Sequence, residues 1–158
     1  MDLAPFAAAL EASALGTWMR GGWSYALVNV AHLVGLALLV GPIILLDLRL
    51  LGFGKRFAPE AVSVALTPFA MVGLLLSAAS GIALFAADAT ALIGNRLMQF
   101  KLLALVLAVA NAALFRFAFA RHLPHWDRRK PLSARASALL SILLWPVILV
   151  AGRLIAYI

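Results

Sequence analysis

The chain contains no cysteine. That absence excludes disulfides, thiolate-bound zinc, cysteine-ligated iron–sulfur clusters and covalent attachment of a c-type haem. Charge is also scarce, at 12% of 158 residues, while 65% are hydrophobic. A soluble domain carries about 25% charged and about 45–50% apolar residues. A soluble fold of this length has no interior large enough for so much apolar surface, so lipid is the expected solvent. No room is left for a separate soluble domain of typical size. The first 22 residues lack a basic start and a long apolar centre, so no cleavable signal peptide is expected. Phosphate-cradling glycine loops, a nucleophile elbow and a His-Glu-x-x-His helix are all missing. So is a carboxylate pair for acid–base catalysis.

What is present is a set of apolar runs of spanning length, which takes about 20 residues. Four qualify, at about 23–46, 64–87, 97–120 and 136–158. Before them, Phe6, Leu10, Ala14 and Trp18 recur at helical spacing, with Asp2, Glu11 and Arg20 as the polar side. This pattern predicts a short amphipathic helix lying in the membrane interface. The expected fold is all-α: an integral membrane four-helix bundle with that helix at its N-terminus.

Net charge is +7. The basic residues cluster beside the spans, which points to topology and anionic lipid, not nucleic acid. Arg49, Lys55 and Arg56 flank the first loop; Arg116, Arg121, Arg128, Arg129, Lys130 and Arg135 flank the third. Only Arg20 and Arg96 mark the opposite side. The first and third loops are therefore expected in the cytoplasm, with both termini on the outer side of a bacterial inner membrane.

Small residues let membrane helices approach closely. Gly73, Ser77 and Gly81, with Ser80 beside them, form one candidate seam in the second span; Ala104, Ala108 and Ala112 form another in the third. Pro42 and Pro146 interrupt the first and fourth spans, and bends there can open a cavity.

Polar groups at membrane depth are costly and usually face the bundle interior. His32 is the only histidine within a span. It follows Trp23 by nine residues, roughly 14 Å at 1.5 Å per residue, near the midplane. Tyr25, Asn29, His32 and Asp47 share one helical face, and Gly35, one turn on, is expected to leave space for a flat ligand. Neutral imidazole is a common metal ligand and a usual axial ligand of haem iron. The competing expectation for His32 is an interhelical hydrogen bond to Ser77, Ser80 or Asn111. Lys101 and Arg153 fall at comparable outer depth on antiparallel spans, where they can hold propionates or snorkel to lipid phosphates. Asp47 is expected to pair with a basic residue of the first or third loop. His122 and His125 form a bare His-x-x-His in the third loop, a weak surface-metal motif.

The run from Ala31-His32-Leu33-Val34-Gly35 to Gly41, then Asp47-Leu48-Arg49-Leu50-Leu51-Gly52, resembles an uncharacterised family of small four-helix bacterial inner-membrane proteins. The likeness extends to Phe100-Lys101-Leu102 and to Ala151-Gly152-Arg153 with the residues up to Tyr157. A more distant resemblance is to the HemJ-type protoporphyrinogen oxidases and the CopD-type copper-resistance membrane proteins. His32, Gly35, Arg49 and Lys101 follow the order of the HemJ pattern, which implies a b-type haem with the histidine as ligand. Asp47-Leu48-Arg49-Leu50 stands where that family has Pro-Arg-Leu-Phe-Val-Tyr-His.

The leading expectation is therefore a b-type haem protein in electron transfer or porphyrin redox chemistry. His32 would ligate the iron, Lys101 and Arg153 would neutralise propionates, and Tyr25, Asn29 and Gly35 would line the pocket. Quinone, a second copy of the chain and a larger membrane complex are the candidate partners. An accessory subunit and a small-solute or metal transporter are the alternative functions.

Overall fold

The computed structural model describes residues 3–127 and 131–157. Asp2, three of the third-loop bases (Arg128, Arg129, Lys130) and Ile158 lie outside the described residues. The chain is all-helical in this range: α1 (Ala4–Ala12), α2 (Ala14–Met19), α3 (Ser24–Leu51), α4 (Pro59–Ala87), α5 (Ala89–Ile93), α6 (Arg96–Phe119) and α7 (Leu132–Leu154), with 3-10 turns after α6 and α7. Four of these helices are long and apolar enough to cross a membrane. Their outer surfaces carry large apolar side chains, such as Leu75, Phe117 and Leu143, each more than 60% exposed. Such an exterior suits a lipid bilayer and would be intolerable in water.

α3 and α4 outrun the expected apolar stretches, and local signals set the helix ends. α3 continues to Leu51 and stops at Gly52, whose φ of 114° lies in the left-handed region. The Phe53 and Gly52 amides then close on the Leu48 carbonyl at 3.0 and 3.2 Å, a glycine-terminated cap. α4 begins with Pro59 at its first position and Glu60 in its first turn, both suited to a helix start. The Asn95 side chain caps α6 by accepting from the Leu97 and Met98 amides.

α3 and α4 form one close antiparallel pair, α6 and α7 a second, and α3 also packs on α7. α4 and α6 thus stand at opposite ends of the row α4–α3–α7–α6 and have no extensive mutual contact. The α3–α4 crossing is backbone-close. A Cβ on Gly35 would lie 2.7 Å from the Ser77 amide nitrogen, and one on Gly73 would meet α3 backbone, including the Gly35 carbonyl at 2.7 Å. The expected Gly73–Ser77 seam therefore faces α3. Gly35 is filled by α4 and leaves no slot for a flat ligand, because close packing without a hydrophobic drive requires its missing side chain.

One core cluster joins Leu39, Val40, Ala104, Ala108, Trp145 and Ile148. A second lies at the Arg49 end, where the chain after α6 folds back: Leu123 and Trp126 pack with Leu50, Ala134 and Ala138. The Trp126 indole donates to the Leu50 carbonyl at 3.0 Å, plugging that end.

The N-terminal segment is two helices, not one. Ser13 breaks it, its hydroxyl accepting from the Gly16 amide and donating to the Leu10 carbonyl at 2.6 Å. The small residues Ala7 and Gly16, with Met19, form the buried side. Phe6 and Trp18, expected on one apolar stripe, are 62% and 56% exposed and point away from the bundle. α1 rests on α5 and α2 on α4. Glu11 accepts from the Thr90 amide and hydroxyl at 2.9 and 2.6 Å, and Arg20 donates to the Ala87 carbonyl at 3.2 Å.

Candidate functional site

His32 is brought to α4 by the close α3–α4 crossing. Its Nδ1 lies 2.9 Å from the Ser80 hydroxyl oxygen, and its ring packs beside Gly81. The Ser80 hydroxyl proton is already committed to the Leu76 carbonyl at 2.6 Å. Ser80 must then accept, so the imidazole donates from Nδ1; the Ser77 backbone also hydrogen-bonds the ring. The neutral ring carries its free lone pair on Nε2. A histidine held in this way, one nitrogen anchored and the other bare, has the arrangement of a metal-ligating imidazole and its supporting partner. The expected interhelical bond of His32 is present, with Ser80 as its side-chain partner.

Lys101 is the second member. It projects from α6 across Gly152 of α7, where a Cβ would sit 3.1 Å from its Nζ. It is half-buried, close enough to His32 to act on it electrostatically, and in no ion pair among the described residues. The glycine at 152 thus makes the channel for the lysine stem.

The other expected residues are not gathered here. Tyr25 and Asn29 are exposed on earlier turns of α3. Arg153 is exposed too, its guanidinium 4.7 Å from the Tyr157 ring centroid and donating to the Tyr157 hydroxyl. It sits beside Gly152 in sequence but projects elsewhere, since neighbouring helical residues differ by about 100° in direction. Asn111 is not a partner of His32. It bridges α6 to α7, accepting from the Ser137 hydroxyl at 2.9 Å and donating to the Ser137 carbonyl at 3.0 Å.

Asp47 departs most from expectation. It is 7% exposed, and its Oδ2 has no hydrogen-bond partner among the described residues. The basic residue two positions on takes a different acid: Arg49 pairs with Asp127 at 2.5 Å, and its Nε donates to the Phe57 carbonyl at 2.6 Å. Asp47 instead meets Ser141 of α7. The miss follows from the span boundary. A helix ended at Leu46 leaves Asp47 at its rim, whereas α3 runs to Leu51 and places it a full turn inside.

Asp47 borders a cavity of about 380 Å³ between α4 and α6, on the Arg49 side of the core. Its walls are mainly apolar, with Pro42 of α3 among them. His32 is not among its lining residues. His32 and Asp47 therefore belong to two separate polar stations at different depths.

His122 and His125 lie in the 3-10 turn after α6. No group of three or more His, Cys, Asp or Glu side chains gathers to hold a metal ion among the described residues.

The family model described as a family of unknown function, DUF6644, matches residues 6–158. The chain belongs to that family. The match takes in both polar stations, from His32 and Asp47 to Lys101, Ser141 and Gly152. No curated protein and no solved structure matches the chain at a significant level. The distant resemblance to the HemJ and CopD types thus rests on its sparse residue pattern alone.

Proposed function

We propose that this DUF6644 protein binds b-type haem non-covalently, with His32 Nε2 as an axial ligand. The observation that carries the reading is the commitment of Nδ1 to Ser80, which leaves the other ring nitrogen bare. The donor set suits the group: one oriented imidazole, and one ammonium with no carboxylate partner among the described residues. Lys101 would take a propionate. Gly35, Tyr25, Asn29 and Arg153 take no part in that donor set. When bound, haem supplies a one-electron carrier or a site for a small axial ligand. The chain's own contribution is orientation. Ser80 holds the ring plane and tautomer, Gly81 admits the ring against α4, and Lys101 offers a charge in a poorly solvated place.

The proposed setting is a bacterial inner membrane. The lysine and arginine bias supports an orientation with the Arg49 end of the bundle in the cytoplasm and both chain ends outside. A quinone pool and a second copy of the chain are the partners such a protein would have within reach.

The test is an absorption spectrum of protein purified in detergent after haem-replete expression. The expected result is a Soret band that is lost or shifted in His32→Ala. An unchanged band in that variant, or no band in the wild type, rejects the reading.

One observation favours a second reading, proton or cation passage. Asp47, a buried carboxylate with no basic partner among the described residues, lies on the same helix as His32, about 22 Å further along at 1.5 Å per residue. Transport of protons usually employs such an acid. Flux in proteoliposomes that requires both His32 and Asp47 would favour it over the haem reading.

A further inference from the structure

Residues 3–23, the strap formed by α1 and α2, hold only two charged side chains, Glu11 and Arg20. Their spacing puts both on the polar side of an amphipathic helix, the side expected to meet water. The fold turns both onto the bundle instead. The Glu11 carboxylate accepts from the Thr90 amide and hydroxyl. The Arg20 guanidinium donates to the Ala87 and Glu11 carbonyls, at 3.2 and 2.9 Å. Small residues complete this inner side: a Cβ on Gly16 would lie 2.8 Å from the Ala86 carbonyl oxygen. What faces away is apolar. Phe6 and Trp18 are exposed, and Trp23, just after α2, is 81% exposed. A strap resting in water would be built the other way round, aromatics inward and charges outward.

The contacts of the strap fix its height. α2 sits on the last turn of α4, and α1 on α5, the short helix between two spans. The ends of spanning helices mark the edge of the hydrocarbon layer. Trp23 opens α3, its carbonyl accepting from the Leu27 amide at 3.0 Å. Leu27, Val30 and Val34 follow at helical spacing, so they share one face of α3. All three are exposed, as the exterior of a spanning helix must be. The apolar surface of the strap is thus continuous in kind with a surface that meets lipid.

We propose that the α1–α2 strap is sunk in the leaflet at the end of the bundle where the chain begins, with Phe6, Trp18 and Trp23 at the boundary between headgroups and acyl chains. Tryptophan suits that depth because its ring is apolar in the body and carries a polar N–H. The partner is phospholipid of any headgroup charge. Interfacial helices usually combine apolar insertion with a basic face that is drawn to anionic lipid. Here one acid and one base cancel and both are engaged by the fold, so apolar burial alone holds the strap. His32 has no part in this, and the proposal stands without the haem reading.

The test is tryptophan fluorescence of the full chain in phosphatidylcholine vesicles, wild type against Trp18→Phe, so that the other three tryptophans cancel. Lipids brominated on the acyl chains are read against the unbrominated lipid, which cancels any bound chromophore. Bromines at the sixth and seventh carbons are expected to remove about half of the Trp18 signal, and bromines at the eleventh and twelfth less, as suits a ring about 5–10 Å deep. Replacing part of the lipid with phosphatidylglycerol should change nothing, and iodide equilibrated on both sides should quench weakly. A Trp18 open to iodide and blind to bromine lies in water and overturns the proposal. Protection from both quenchers shows a second copy or another protein on this face and overturns it too, as does bromine quenching that requires anionic lipid. The absence of cysteine gives an independent measurement if Trp18→Phe misfolds. A nitroxide on Phe6→Cys should collide more with oxygen dissolved in lipid than with an aqueous nickel chelate; the opposite preference overturns the proposal.

Discussion

Ser80 is the residue on which the His32 reading turns. Its oxygen accepts from Nδ1 because its own proton goes to the Leu76 carbonyl. Removing the hydroxyl leaves the ring free to rotate and to exchange tautomers. Ser80→Ala is therefore expected to retain the protein but weaken haem binding about 10–100-fold, the usual effect of losing a supporting partner of a metal ligand. Competition with apomyoglobin measures this directly. Unaltered haem retention would mean that the serine serves only to join α3 to α4.

The glycines separate a packing role from a passive one at the element scale. Gly35 lies against the Ser77 backbone at 2.7 Å from a notional Cβ, and backbone cannot swing aside. Gly35→Ala must push α3 and α4 apart, an overpacking cost of about 1–3 kcal/mol. Gly152 faces the flexible end of Lys101 at 3.1 Å. Gly152→Ala displaces only that end and is expected to change stability by less than about 0.5 kcal/mol. Thermal unfolding of the two variants in one detergent gives the ranking.

The docking of α1 on α5 is sensitive to pH in a defined direction. The Thr90 hydroxyl and amide hold the Glu11 carboxyl below its ordinary value, with Arg20 adding to the effect. A lowered folded-state pKa contributes stability that is complete above the ordinary glutamate range and disappears as pH falls through the lowered value. Amide exchange at Thr90 should therefore accelerate in acid, and Glu11→Gln should flatten that dependence. Acceleration that persists in Glu11→Gln would assign it to another group.

For the whole molecule, four traverses put both chain ends at the α1 end, and the basic flanks of the first and third loops lie at the Arg49 end. Alkaline phosphatase fused after Tyr157 is expected to be active in a bacterial host, and green fluorescent protein fused there to be dark. The reverse pattern would invert the orientation and place the Asp47 cavity in the outer half of the bilayer.

The sequence determined the solvent, the number of spans and the residues worth watching, because apolar run length and the cost of polar groups in lipid are local quantities. It also carried His32, Lys101 and the Gly73–Ser77 seam, whose residue types are rare or small for identifiable reasons. It could not tell which neighbour each residue meets. That Gly35 admits a helix and not a ligand, and that the Ser80 hydroxyl and the Ser77 backbone engage the imidazole while Asn111 does not, depends on how the helices cross. Arg49 choosing Asp127 over Asp47 depends on a loop folding back across the bundle end. The cavity arises from α4 and α6 standing apart at the ends of a row of four. Distances between helices belong to the assembled fold, and no periodicity along one chain encodes them.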